Sequence, residues 1–313
     1  MTTPLVSVVI PVYNAARFVR ETLESVFAQS CRDFEVVCSD DGSTDDSVAV
    51  ITNVASAHRQ AVHVVSHHRG GQTMAKNRGA TVAKGRYLAF LDADDLWYPR
   101  KLQHQVEVLE SVPEAVLVHC NYDEIDEAGY LLRRYCVATA RGNKKKDLWE
   151  QLLGPQAWIL NSVMMVRRTA FEQIGGYDPD VGLDDEADFC LRFRSLGKFV
   201  YLEEAGAAKR THQASFSHEG TPADKKFGDG TRFLHKLELR FTNDSEKLRL
   251  VHLLLASRYS DWGWHKIRTG DSREGLHLLL RALPYDPWRY RTYSRIMRSY
   301  MPAALRHYVS KHR

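Results

Sequence analysis

Short β-branched runs alternate with helix-period segments along the first half of the chain. Residues 5–10 precede a helical pattern over 15–29, residues 34–39 precede one over 45–57, and residues 62–65 precede one over 71–83. Such alternation predicts βαβ units and a parallel sheet. Residues 87–91 and 115–119 read as further strands, with a helix over 99–111 between them. The predicted architecture is α/β and doubly wound, with ligands at the carboxyl ends of the strands.

From Asn121 the pattern changes. Residues 124–129 read as a turn, and the basic stretch 141–146 has no apolar periodicity and reads as a loop. Strand and helix fragments alternate irregularly up to Gly206. From about Asp229 the chain is helical, with apolar periodicity over 233–239, 248–255 and 276–283, punctuated by Gly270, Pro284 and Pro287. The spacing of Ala256, Tyr259, Gly270 and Ala282 resembles one tetratricopeptide hairpin, although a single hairpin is not an array.

With 313 residues, 44% hydrophobic, the chain can bury a full core. Its net charge of +4 is too small to argue for nucleic-acid binding, which needs clustered cations. The five cysteines show neither CxxC nor zinc-ligand spacing and read as reduced, packed thiols. No apolar run approaches the roughly 20 residues that cross a bilayer, and residues 5–10 lack the basic leader of an export signal. The expected location is cytoplasmic.

Chemistry collects at the ends of the predicted strands. Strand one ends in Pro11-Val12-Tyr13-Asn14, where proline is expected to stop the ladder and deliver an aromatic ring able to stack on a flat base. Strand two ends in Asp40-Asp41-Gly42-Ser43-Thr44-Asp45. Helix capping explains Ser43, Thr44 and Asp45, but adjacent carboxylates at a sheet edge repel unless a donor or cation lies opposite. A carboxylate there could accept the imide hydrogen of uracil. Strand four ends in Asp92-Ala93-Asp94-Asp95, a set of hard oxygen ligands suited to Mg²⁺ or Mn²⁺ shared with substrate phosphates.

Together with Asn77-Arg78-Gly79, these motifs resemble glycosyltransferase family 2 on a GT-A fold. The resemblance implies a GT-A domain over residues 1–220, with a nucleotide-sugar half at 1–120 and an acceptor half at 121–220, followed by a helical region at 229–313. It implies an inverting transferase with a nucleoside-diphosphate sugar donor, usually UDP-linked, and a glycan or lipid-linked acceptor in bacterial surface glycan assembly. In this chain Pro11, Val12, Tyr13 and Asp40 or Asp41 would hold the base, Lys76 would approach the nucleotide, and Asp92 would face the ribose. Asp94 would bind the metal, with Asp95 as its competitor.

Downstream, Gly175-Gly176-Tyr177-Asp178 and Asp184-Asp185-Glu186-Ala187-Asp188 resemble the acceptor-side segment that carries the family's general base. Many members have Glu then Asp there, and this chain has Asp185 then Glu186. The buried face expected from Phe189, Cys190, Phe193 and Leu196 puts these acids at a helix N-terminus, where they also favour the dipole. They exceed what capping needs, so Glu186 is the first candidate base, Asp185 the second, and Asp188 a support. The segment from Arg210 to Ser217 resembles a late family loop whose His212 completes the metal site and whose basic residues cover the pyrophosphate.

A base opposite the leaving group implies single displacement and inversion. A nucleotidyltransferase would begin with a Gly-rich, Arg- and Lys-bearing loop after strand one, where this chain has Pro-Val-Tyr-Asn. A non-catalytic scaffold would not need the complete acid set. Loops around Trp149, residues 154–158 and Asn161 would set the sugar and acceptor. From Trp288 onward cations and aromatics follow one another with no acid among them, which suits peripheral contact with an anionic membrane.

Overall fold

A computed structural model describes residues 3–58, 60–134, 136, 159–212 and 222–300. The expected loop at 141–146, Trp149, residues 154–158, residues 213–217 and residues 301–313 lie outside the described residues. The chain divides into two compact units, Met1–Pro179 with Asp185–His218, and Asp180–Asp184 with Glu219–Arg313.

The first unit is built on one sheet. Strands β1 (Val6–Val12), β2 (Phe34–Asp40), β3 (Val62–Ser66) and β4 (Tyr87–Phe90) pair in parallel in the order β3-β2-β1-β4. Every residue of β1, β2 and β4 is buried, as expected of strands covered on both faces. Helices α1 (Val19–Phe27), α2 (Ser47–Ser56), α3 (Gln72–Val82) and α4 (Lys101–Ser111) supply the cover. In α1 the buried set Val19, Thr22, Leu23, Val26 and Phe27 has the spacing of one helical face.

Two differences from the sequence expectation shape the site. Pro11 does not end the ladder with β2, because Pro11 and Val12 stay in register with Ser39 and Asp40. Val12 O accepts from Asp41 N and Val9 O from Leu91 N, so alternate residues face opposite neighbours. Pro11 therefore turns its nitrogen to the side where β4 has already ended, and no ladder bond is lost. Beyond β4 the sheet is also not uniformly parallel. Strand β8 (Met164–Arg167) inserts antiparallel between β4 and β6 (Ala115–Ile125). Strand β6 runs through the first residues of the expected turn, which is confined to Asp126–Gly129 and leads into β7 (Leu131–Arg133).

The thirteen-residue β9 (Lys198–Arg210) pairs parallel to β6 and antiparallel to the two-residue β5 (Leu96–Trp97). Because β5 follows directly on Asp92–Asp95, this pairing brings the end of β9 to the acidic turn. Helices α5 (Arg168–Gln173) and α6 (Asp185–Phe193) complete the unit. Phe189, Cys190 and Phe193 of α6 are buried as expected, whereas Leu196 falls in a following 3₁₀ turn and is only partly buried.

The second unit is helical: α7 (Ala223–Arg240), α8 (Ser245–Thr269), α9 (Ser272–Ala282) and α10 (Tyr290–Ser299). Asp244 and Asp271 cap α8 and α9 by accepting from Lys247 N and Glu274 N. Gly270 ends α8 at φ 106°, a left-handed position that glycine adopts without strain. Helices α8 and α9 meet at Gly263 and Gly275, where a Cβ on either would lie 2.6 Å from the other's carbonyl.

Candidate active site

The turn after β1 is assembled from β2 and the loop behind it. Asn14, at φ 48°, accepts from Thr44 N through Oδ1 at 2.8 Å, and its own N donates to Ser43 Oγ at 3.0 Å. Ala15 N donates to Ser47 Oγ and Ala16 N to Asp45 Oδ2. Tyr13 is thereby held outward, 39% exposed, with the Arg69 guanidinium 4.3 Å from its ring centroid. Pro11 and Val12 are buried and carry this ring without offering side chains of their own. Asp41 is buried and accepts from Gly70 N and Gly71 N, each at 2.7 Å, with Arg78 at 3.5 Å. Asp40, also buried, accepts from Ser43 N at 3.1 Å. The acid pair thus meets its donors, and it ties the loop that carries Arg69 to the loop that carries Tyr13.

The acids after β4 divide by environment. Asp95 is buried and accepts from Ser162 Oγ at 2.6 Å and Arg210 N at 2.8 Å. Burial, with Asp94 and Asp92 beside it, holds its carboxyl well above the usual range. Both its oxygens accept from the protein, which ties Asp95 to Ser162 and to the end of β9. Asp94 keeps 28% side-chain exposure, and its Oδ2 is 2.9 Å from His212 Nε2. The His212 ring packs on Phe18 at 4.6 Å between centroids. Asp92 is partly buried and accepts from Gln72 Nε2 at 3.0 Å. Burial and the Asp94 charge raise it to about 6.

Arg210 departs from the role implied by resemblance. Its side chain is buried, donating to Asp94 O, Glu127 O and Glu21 Oε2, with its guanidinium over Phe18. It clamps the acidic turn and does not face outward to cover a pyrophosphate.

Lys76 is fully buried, its Nζ 2.6 Å from Asp185 Oδ2. Thr73 Oγ1 donates to the same oxygen at 2.7 Å. Asp185 is therefore consumed in joining α3 to α6. Asp188, 1% exposed, accepts from Arg192 Nε at 2.6 Å, and Arg192 donates onward to Ile174 O and Gly176 O. Glu186 alone of the three is partly exposed, accepting from Asn161 N at 3.2 Å. Burial raises its carboxyl to about 8; Lys76 opposes this, and Asp185 and Asp92 reinforce it.

Several residues shape the site without a role assigned from sequence. Tyr177 Oη donates to Asn161 Oδ1 at 2.7 Å, and Asn77 grips both the N and O of Tyr177. Ser162 accepts from Asp92 N while donating to Asp95. Asn77 and Tyr177 lie in quoted motifs, but nothing in the sequence pairs them.

Burial is the first cause of the raised values at Asp92, Asp95 and Glu186, and the neighbouring carboxylates add repulsion. A divalent cation would relieve it, and Asp94 with His212 offers a carboxylate and an imidazole at the exposed side of the cluster. Among the described residues no set of three or more His, Cys, Asp or Glu converges as a complete metal cage. Two protein ligands suit an ion that shares its shell with phosphates and water.

Known proteins resemble this chain in sequence and in fold. An uncharacterized glycosyltransferase of Rickettsia prowazekii is 28% identical over 75% of this chain and 73% of its own length. Another from Nostoc is 35% identical over 67% of this chain and 66% of its own. Among solved structures, TarS 1–349 of S. aureus in complex with UDP-GlcNAc has a TM-score of 0.68 at 14% identity, covering 95% of this chain and 89% of that one. The mannosyltransferase PcManGT of Pyrobaculum calidifontis, in complex with GDP-Man and Mn²⁺, has a TM-score of 0.59 at 20% identity, covering 96% and 86%. The sheet and its flanking helices are those of a GT-A glycosyltransferase. The family model described as glycosyl transferase family 2 matches residues 7–175, more than half of the chain, and the protein belongs to that family.

Proposed function

We propose that the protein transfers a sugar, with inversion, from a nucleoside-diphosphate donor, UDP-linked in the first instance, to a hydroxyl of a glycan or lipid-linked acceptor in bacterial surface glycan assembly. The observation that carries the metal-dependent part is the Asp94–His212 pair at 2.9 Å, formed because β5 threads the acidic turn onto the end of β9. That pair would hold Mg²⁺ or Mn²⁺, which when bound neutralises the charge developing on the leaving diphosphate. Tyr13 and Asp40 or Asp41 take the base, and Asp92 takes the ribose. Glu186 accepts the acceptor hydroxyl's proton as that oxygen attacks the anomeric carbon. A carboxyl at about 8 is a far stronger base than an ordinary one, at the cost of being ionised in only part of the molecules at neutral pH.

The C-terminal helix supports a peripheral lipid contact. Trp288, Tyr290, Tyr293, Met297 and Tyr300 are exposed, as is Arg291. Arg289 and Arg295 instead turn inward to Asp286 and Ser257, and to Asp261 and Ser260. Among the described residues no helix is long and apolar enough to cross a membrane, and exposed aromatics beside a cation suit the headgroup layer. A thermal-shift screen of UDP- and GDP-sugars with Mn²⁺ tests the donor assignment. Stabilisation by a UDP-sugar, reversed by chelator, is expected. Stabilisation by no nucleotide sugar, or equal stabilisation with the metal removed, would sink it.

A further inference from the structure

Lys76 is enclosed in a closed loop of contacts around Glu186. Its Nζ meets Asp185 Oδ2 at 2.6 Å and lies 4.3 Å from the Tyr177 ring centroid. Tyr177 Oη binds Asn161 Oδ1, Asn161 N binds Glu186 Oε1, and Glu186 follows Asp185 in the first turn of α6. Apart from the ion pair, the buried ammonium has no hydrogen-bond partner among the described residues. A buried cation held by one anion is a costly way to pin two helices, since apolar side chains of similar volume often replace such pairs without loss.

We propose that Lys76 is a positioning residue for Glu186, fixing the first turn of α6 through Asp185 and Tyr177 and keeping a compensating positive charge beside the base. This rests on Glu186 being the base, but the geometry can be tested without substrate. The charged groups that act on Glu186 are Lys76 from α3, Asp185 from its own helix and Asp92 from the end of β4. Removing Lys76 should make Glu186 harder to ionise, and removing Asp185, which leaves the ammonium unpaired, should make it easier. Simple loosening of the helix contact would instead admit water in both cases and move both the same way.

The full chain, carrying ¹³C at the glutamate carboxyls, would be titrated by NMR, with the Glu186 signal identified by its absence in Glu186→Gln. In Lys76→Met the midpoint should rise by about one pH unit or more, as expected for losing an opposite charge at close range. In Asp185→Asn it should fall, and in the charge-neutral double variant it should return toward the starting value. Unmoved midpoints, or shifts in one direction for both single variants, would overturn the proposal. So would a tenfold loss of UDP binding with Mn²⁺ in Lys76→Met beside an unchanged Glu186 titration, since Lys76 would then serve the nucleotide. If Lys76→Met does not fold, Asp185→Asn and the double variant, which buries no unpaired cation, decide it: an Asp185→Asn midpoint that does not fall refutes the proposal. Wild-type turnover in Glu186→Gln would remove the base assignment itself and leave the titration result standing.

Discussion

Replacing Glu186 by glutamine removes its charge and keeps its shape, and the structure sets the sign of two effects. The carboxyl is raised from 4.5 to about 8, chiefly by burial. A group whose folded value lies above its unfolded one holds its proton more tightly in the folded protein. Its stabilising contribution is complete below pH 4.5 and is lost as pH rises through about 8. The difference of about 3.5 pH units corresponds to at most about 5 kcal/mol, and solvent access at this partly exposed side chain reduces it to about 2–3 kcal/mol. Glutamine carries no such pH-dependent penalty. The variant's Tm should therefore gain on that of the wild type between pH 5 and pH 9, by roughly 3–5 °C, measured by scanning fluorimetry without metal or nucleotide. In turnover the order reverses: loss of the base should lower kcat by about 10²–10⁴-fold, with donor affinity little changed. The wild-type rate should climb with pH toward an inflection at about 8. A Tm difference that stays flat across this range, or a Glu186→Gln enzyme with wild-type kcat, would refute the reasoning.

Asp94→Ala and His212→Ala should each weaken Mn²⁺ binding by at least about tenfold, in line with loss of one ligand, and Asp94→Ala should abolish transfer while circular dichroism stays unchanged; Mn²⁺ calorimetry gives the first readout. Arg210→Ala should destabilise the fold by about 2–4 kcal/mol in urea titration, because it leaves the acceptors Asp94 O and Glu127 O without their donor. Floated with anionic vesicles, the protein should bind at low salt and release at high salt, and Trp288→Ser with Tyr290→Ser should abolish that binding; equal binding to neutral vesicles would count against the lipid contact.

The strand-end acids were legible because an α/β sheet exposes its carboxyl edge whatever the rest of the chain does. What each acid does was not. Asp95 and Asp94 are adjacent and chemically identical, and only the arrival of β9, with Arg210 N and Ser162 on one carboxylate and His212 on the other, separates the anchored acid from the one proposed to meet a metal. Strand β9 begins 103 positions after Asp95, and its sequence, KFVYLEEAGAAKR, alternates too weakly to announce a thirteen-residue strand. Strand β8 is equally quiet: Met164–Arg167 is four residues with no period, so its antiparallel insertion could not be foreseen. Lys76 read as a nucleotide contact because a lysine in a site motif is expected to face ligand. Its ion-pair partner, Asp185, lies more than 100 residues away, and burial of the pair leaves no local signal.

The triplet Asn77-Arg78-Gly79 shows how a family motif can serve the site through packing. On α3 these three residues face three directions. Arg78 donates to His68 O and lies 3.5 Å from Asp41, holding the loop beside Tyr13. Gly79 lies so close to the sheet that a Cβ would sit 2.6 Å from Val9 Cγ1 and 3.3 Å from Ser39 Cβ, and any larger residue would lift the helix from β1 and β2. Asn77 grips the backbone of Tyr177, whose ring stacks on Phe189 of α6 at 4.2 Å. One helical turn thus fixes the loop beside Tyr13, the distance of α3 from the strands that carry the acids, and the segment that leads to Glu186. Displacing α3 by the width of a methyl group would disturb all three together, which makes Gly79→Ala a change expected to act at Glu186 and at the turn beside Tyr13 although it touches neither.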